Sequence, residues 1–249
     1  MSKIFVTGAT GLIGTKLTKR LIEEGHDVAG FTTSENGKEK LESSNVKAYI
    51  GDILKYDTID SAIADFRPEI IINQITDLKN VDMSANTKVR VEGSKNLIDA
   101  AQKYDVKKVI AQSIGFVYEA GEGLATEETS LDLDSTGDRK ITVDGVIGLE
   151  EETSRMDEYV VTSFVHLDDA VETSIQALNF DNGIYNVADD EPVKGSDFAE
   201  WYKQQLNVDP EIDIQPAQPF ERGITNDKFK AQGGKLIYST WKDGMNPIK

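Results

Sequence analysis

The chain has 249 residues, 39% of them apolar and 8% aromatic, enough for a substantial core in one or two domains. Its 44 acidic and 27 basic residues give a formal charge of −17, which argues against sequence-independent nucleic-acid binding and against an anionic membrane surface, since both need clustered lysine and arginine. Cysteine is absent, which excludes disulfides, thiolate metal sites and a cysteine nucleophile. No apolar run approaches the ~20 residues of a membrane span, and Gly8 and Gly11 interrupt the N-terminal apolar stretch, so a soluble cytoplasmic protein is expected.

In chain order, Lys3 to Thr7 is a run of strand formers, followed by Gly8-Ala9-Thr10-Gly11-Leu12-Ile13-Gly14. Leu12 to Glu24 then carries Leu12, Ile13, Leu17, Leu21 and Ile22 at helical spacing, closed by Gly25-His26. Further strands are predicted at Asp27–Phe31, Lys47–Ile50, Glu69–Asn73 and Lys107–Gln112, with helices at Tyr56–Asp65 and about Ser84 to Tyr104. Alternating strands and helices imply βαβ units and a parallel sheet, and Ile70-Ile71-Ile72 suits a strand covered on both faces. Gly121 to Gly137 reads as an acidic surface loop. Helices are then predicted at about Val143–Met156, from Asp168 and at Ser196–Leu206, with strands at Tyr159–Val161 and Ile184–Val187. The fold class is α/β, a Rossmann-type doubly wound parallel sheet with a small C-terminal part. Residues 1–161 would form the dinucleotide domain and residues 162–249 would complete the sheet and a reduced substrate subdomain.

The glycine triplet sits where its mechanism needs it, after a strand and at the start of a helix. Gly8 permits the tight turn, Gly11 lets the backbone approach a pyrophosphate, and Gly14 lets the helix pack close to the strand. The helix N-terminus offers N–H groups and a positive dipole end to phosphates.

With Thr7 in front, this Gly-x-x-Gly-x-x-Gly spacing resembles the extended short-chain dehydrogenase/reductase superfamily, the group of NAD-dependent epimerases and dehydratases. Similar landmarks are Gly51-Asp52-Ile53, Glu92 to Leu97, Ser113 to Tyr118, Phe164 to Asp169, Tyr185-Asn186-Val187, Asn226 with Lys228, and Trp241 to Gly244. The resemblance implies an NAD(P) cofactor held by Gly8, Thr10, Gly11, Leu12, Ile13 and Gly14, with Asp52 and Ile53 at the adenine and Gln74, Thr76 and Arg90 nearby. It implies oxidation, reduction or epimerisation of a small hydroxyl, carbonyl or nucleotide-sugar substrate by a monomer or homodimer. The end of the second strand reads Thr32-Thr33-Ser34, where an acidic residue would accept the ribose hydroxyls of NAD; three hydroxyls and no carboxylate favour NADP.

The family's catalytic Tyr-x-x-x-Lys pair is missing. No tyrosine lies between Tyr118 and Tyr159, and Thr142 or Val143 stands where it is expected. Tyr104 with Lys108 and Tyr238 with Lys242 match the spacing but sit in the wrong elements. Ser113 and Tyr118 are the remaining catalytic candidates, with Tyr118 alternatively lining the pocket. Arg90 reads either as an anion-binding residue or as a helix-face salt bridge. Glu150-Glu151-Glu152 and Asp157-Glu158 read as solvated faces, and Asp168 or Asp169 as a helix N-cap; no metal site is expected. A non-catalytic NADP sensor is the competing reading, and a reductase that takes its proton from bound water is a third.

Finally, the family has several tens of residues between the strand begun by Tyr159-Val160-Val161 and the Val165-His166 stretch, whereas here Thr162-Ser163-Phe164 follows directly. The joint reads either as a deletion or as a sequence closed over an omitted segment.

Overall fold

The computed structural model describes residues 1–78, 83–163 and 166–245. Seven strands form one sheet: β1 (Lys3–Thr7), β2 (Asp27–Thr32), β3 (Lys47–Ile50), β4 (Ile70–Asn73), β5 (Lys108–Gln112), β6 (Glu158–Thr162) and β7 (Gly183–Tyr185). Their spatial order is β3-β2-β1-β4-β5-β6-β7, and every pairing is parallel. The strand order reverses between β1 and β4, which opens the crevice where such sheets bind ligands.

Successive side chains of a strand point to opposite faces, and the sequence supplies apolar residues to both. Ile4 and Val6 pack with Ile72, Ile110 and Val160 under α1 (Leu12–Glu23), α2 (Glu35–Ser43) and α7 (Leu167–Gln176). Phe5, Ile71 and Val109 face the other way, under α3 (Tyr56–Phe66) and α5 (Ser94–Lys103). Leu149 of α6 (Gly137–Thr153) completes that second layer against Ala111 and Val161.

The long helix expected at Ser84–Tyr104 is present as α4 (Met83–Lys88), one π-helical turn at Val89–Gly93, and α5. Among the differences from the sequence reading, two bear on the site. α6 begins at Gly137, six residues before Val143, so the acidic loop ends in helix. α7 is capped by His166, whose Nδ1 accepts the Asp168 N–H at 3.2 Å; Asp168 and Asp169 lie in its first turn, where carboxylates suit the helix dipole. Phe164 and Val165 lie outside the described residues. Val161 and Thr162 are consecutive residues of β6, paired with Ile184 and Tyr185, and only four residues separate β6 from α7. Beyond β7 come α8 (Gly195–Leu206), which buries no residue, and two short helices, α9 (Asp227–Ala231) and α10 (Trp241–Gly244).

Candidate cofactor and catalytic site

At the β1–α1 turn Gly8 has φ +63°, and a Cβ there would stand 2.6 Å from the Gln74 carbonyl oxygen on the neighbouring β4 turn. A Cβ on Gly14 would stand 2.2 Å from the Gly8 carbonyl oxygen. The glycines are therefore sterically required: they hold the β1 and β4 turns together and seat α1 directly above them. Gly11 is the extended N-cap of α1 and supplies no side chain to the first N–H groups. Those donors, with exposed Thr10 and Leu12 beside them, form a cradle of a kind that fits a pyrophosphate. Leu12 is 83% exposed, an apolar side chain at the mouth of this cradle, whereas Ile13 packs against the core.

The flanking candidates gather along the same edge of the sheet. Thr32, at the end of β2, is buried with its hydroxyl 3.4 Å from that of Thr10, and Thr33 is exposed. Ser34 caps α2, accepting the Gly37 N–H at 3.1 Å, which leaves its own proton free for an acceptor. Asp52 accepts the Leu54 N–H at 3.0 Å, and the Ile53 carbonyl accepts from Asn96 at 2.9 Å, fixing the β3–α3 turn. The Ile53 side chain is buried against Gly93. Gln74 donates to Ser174 at 3.2 Å, while its Oε1 is buried without a partner; Thr76 is exposed. Thr7 donates to Asn73 at 2.6 Å and ties β1 to β4 beneath the crevice.

A second group lies at the carboxyl end of β5. Ser113 is 2% exposed and donates from its Oγ to Glu150 Oε1 at 2.8 Å. Glu150 stands on α6, and burial pushes its carboxyl above the usual range, opposed by the Ser113 hydroxyl and by the charge of Arg90. Arg90 lies in the π-helical turn, 5% exposed, with Nε and one terminal nitrogen buried and unpartnered. The helix-face salt bridge is not what Arg90 makes: it is buried and has no ion pair among the described residues, whereas its two unpartnered nitrogens leave donors for an anion. The reading of Glu150 as solvated is likewise corrected. Of the three consecutive glutamates, only Glu150 continues the inward stripe of Val143, Val146 and Leu149, a signal present in the spacing.

Tyr118 is buried, donates to Asn186 Oδ1 at 2.8 Å, and has its phenol pushed up to about 12 by burial. Arg139, from the first turn of α6, clamps the segment before it by donating to the carbonyls of Phe116 and Tyr118. Tyr104 and Lys108, which match the catalytic spacing, diverge: Tyr104 donates to Asp60 at 3.2 Å, and Lys108 to the carbonyls of Leu178 and Phe180. No cluster of metal-ligating side chains occurs among the described residues, and no helix there is long and apolar enough to cross a membrane.

The sequence profile of the NAD dependent epimerase/dehydratase family matches residues 4–138. A 3-diazoavenalumate denitrifying reductase of a Streptomyces species is 24% identical over an alignment of 304 positions that covers 98% of this chain and 99% of that protein. That alignment is longer than the chain, so the reductase carries stretches with no counterpart here. A UDP-glucose 4-epimerase of Mycolicibacterium smegmatis is 32% identical over 121 residues, 45% of this chain and 39% of that one. Among solved structures, Bordetella bronchiseptica WbmH in complex with NAD+ superposes with a TM-score of 0.81 at 16% identity, covering 98% of this chain and 96% of its own. The Thermotoga maritima UDP-glucose 4-epimerase with UDP-glucose gives 0.80 at 19% identity, covering 97% and 96%. The profile spans more than half of the residues, and the chain belongs to the NAD dependent epimerase/dehydratase family.

Proposed function

We propose that the protein is an NADP-dependent oxidoreductase acting on a small carbonyl or hydroxyl compound, without the family's tyrosine–lysine pair. The observation that carries this reading is the glycine cradle at the β1/β4 crevice, where any side chain on Gly8 or Gly14 collides with backbone. A bound nicotinamide would supply hydride transfer. The first N–H groups of α1 would bind the pyrophosphate, and the remaining oxygen of Asp52 would face the adenine. Thr33 and the Ser34 hydroxyl, at the end of β2, would donate to a 2′-phosphate, with no carboxylate before Glu35 to repel it. Small size of the substrate is supported by the four-residue link between β6 and α7, which leaves no length there for a substrate-binding excursion.

Calorimetry with NADPH and NADH, followed by NADPH oxidation with aldehydes, ketones and nucleotide sugars, tests the reading. Tighter binding of NADPH and turnover of a small carbonyl compound are expected. Equal affinities or preference for NADH would sink the cofactor assignment; cofactor binding without turnover of any compound would favour the sensing role. Gly11→Asp, which puts a side chain and a negative charge at the phosphates, should abolish binding of either cofactor.

A further inference from the structure

We infer that Ser113, Glu150 and Arg90 form a buried proton-delivery unit standing in for the absent tyrosine and lysine: Glu150 stores the proton, Ser113 passes it to the substrate oxygen, and Arg90 balances the carboxylate left behind. This inference rests on the oxidoreductase reading above.

Three independent features place these residues together. The β5 strand ends in Ser113, whose backbone N–H donates to the Thr162 carbonyl at 2.7 Å, so its position is fixed by the sheet. The α6 helix brings Glu150 to it because Gly145 and Gly148 permit close approach; Cβ atoms there would lie 2.8 Å from Thr87 Oγ1 and 2.6 Å from Val91 Cγ2. The π-helical turn at Val89–Gly93 carries Arg90 inward, and π turns inside α-helices recur at functional sites. A guanidinium with two buried, unpartnered nitrogens is costly unless a countercharge is near. The groups that act on Glu150 are the Ser113 hydroxyl from the end of β5 and the Arg90 charge from the π turn, and Glu150 in turn raises the phenol of Tyr118 from the segment after β5.

In the reducing direction the balance closes. A hydride from the reduced nicotinamide adds to the carbonyl carbon. With Glu150 protonated the 2.8 Å contact runs in the opposite sense, its O–H donating to Ser113 Oγ and freeing the serine proton; that proton moves to the carbonyl oxygen, and the Glu150 carboxylic proton moves to Ser113 Oγ. Glu150 is left as a carboxylate facing Arg90 and is reprotonated from water.

The carboxyl is read first without substrate. In an infrared pH titration the wild type should show a protonated-carboxyl band that Glu150→Gln lacks and that persists to higher pH than the band of exposed glutamates. Arg90→Gln should carry that band to higher pH, because the charge that favours the carboxylate is gone. With the best carbonyl substrate, Glu150→Gln and Ser113→Ala should each lower kcat by ~10²-fold, the scale of a lost proton-transfer group, with NADPH affinity within about twofold of wild type. The double variant should be no slower than either single one, and Glu150→Asp should restore part of the rate with a displaced pH limb. Absence of the band in the wild type, or variants that lose melting temperature but keep kcat and its pH profile, would overturn the unit. Failure to bind NADPH would overturn the cofactor reading instead, and the band would still decide whether Glu150 holds a proton.

Discussion

At the scale of single residues, hydrogen-bond partners separate two buried polar side chains that stand close in sequence. Ser113 and Tyr118 lie five positions apart at the end of β5, and both are nearly inaccessible. Ser113 meets a titratable carboxyl; Tyr118 meets the Asn186 amide and stays protonated far above neutral pH. A phenol held at about 12 is a donor rather than a base near pH 7, and the acceptor it has is the Asn186 amide oxygen. The consequence for stability has a definite sign. The folded state keeps the Tyr118 proton while the unfolded chain loses it near the ordinary value of about 10, so this contribution falls as pH rises from there toward about 12. Tyr118→Phe should remove one late-ionising phenol from the ultraviolet titration of the native protein. It should also lower stability at neutral pH by roughly 1 kcal/mol, the net worth of a typical hydrogen bond. A variant with an unchanged high-pH titration would mean that the hydroxyl is solvated.

At the scale of elements, the strands were legible because each is a short apolar run with residues for both faces, and α1, α3 and α5 because their apolar spacing is regular, whereas α2 carries Leu41 as its one large apolar residue and gives no such signal. α6 was legible only from Val143 onward. It opens with Gly137, Asp138 and Arg139, carries β-branched residues at Ile141, Thr142 and Val143, and contains two further glycines, so local propensity argues against a helix that tertiary packing nevertheless forms. The same packing explains why Glu150 was misread: a run of three glutamates looks solvated until the inward stripe fixes which one points to the sheet. The glycine motif was legible because its requirement is backbone geometry close in sequence. The Ser113–Glu150 contact was not, because it joins residues 37 positions apart. Packing between α6 and the long helix yields a test at this scale. Gly148→Leu places a side chain where a Cβ alone would stand 3.3 Å from Val91 Cα. Although leucine favours helix by up to ~1 kcal/mol over glycine, overpacking should outweigh it and destabilise the protein by ~1–3 kcal/mol in denaturant titration. Gly195→Ala, where a Cβ meets nothing within 4 Å, is the control and should leave the midpoint unchanged or slightly raised. A neutral Gly148→Leu would show that the helices can separate freely.

At the scale of the whole molecule, the sheet and the segments beyond its carboxyl ends are unequally built. The parallel sheet, its crevice and the glycine turn are complete, whereas the substrate side is assembled from short pieces. The segment after β5 meets the C-terminal part through a bridge between Ala125 and Ile224, and Arg222 donates to the carbonyls of Gly123 at 3.0 Å and Glu122 at 2.9 Å. Phe116, Leu124 and Leu133 are each exposed on this segment, and apolar side chains there would suit a small uncharged compound better than a sugar nucleotide with its pyrophosphate. The chain's formal charge of −17 acts in the same direction, raising the cost of drawing a second diphosphate to a molecule already holding one in its cofactor. Calorimetry of the NADP-saturated protein should therefore give no binding heat with UDP-glucose or dTDP-glucose, and neither compound should raise its melting temperature. Micromolar affinity for either would place a nucleotide-sugar site on the 113–136 segment and restore epimerisation as the leading reaction.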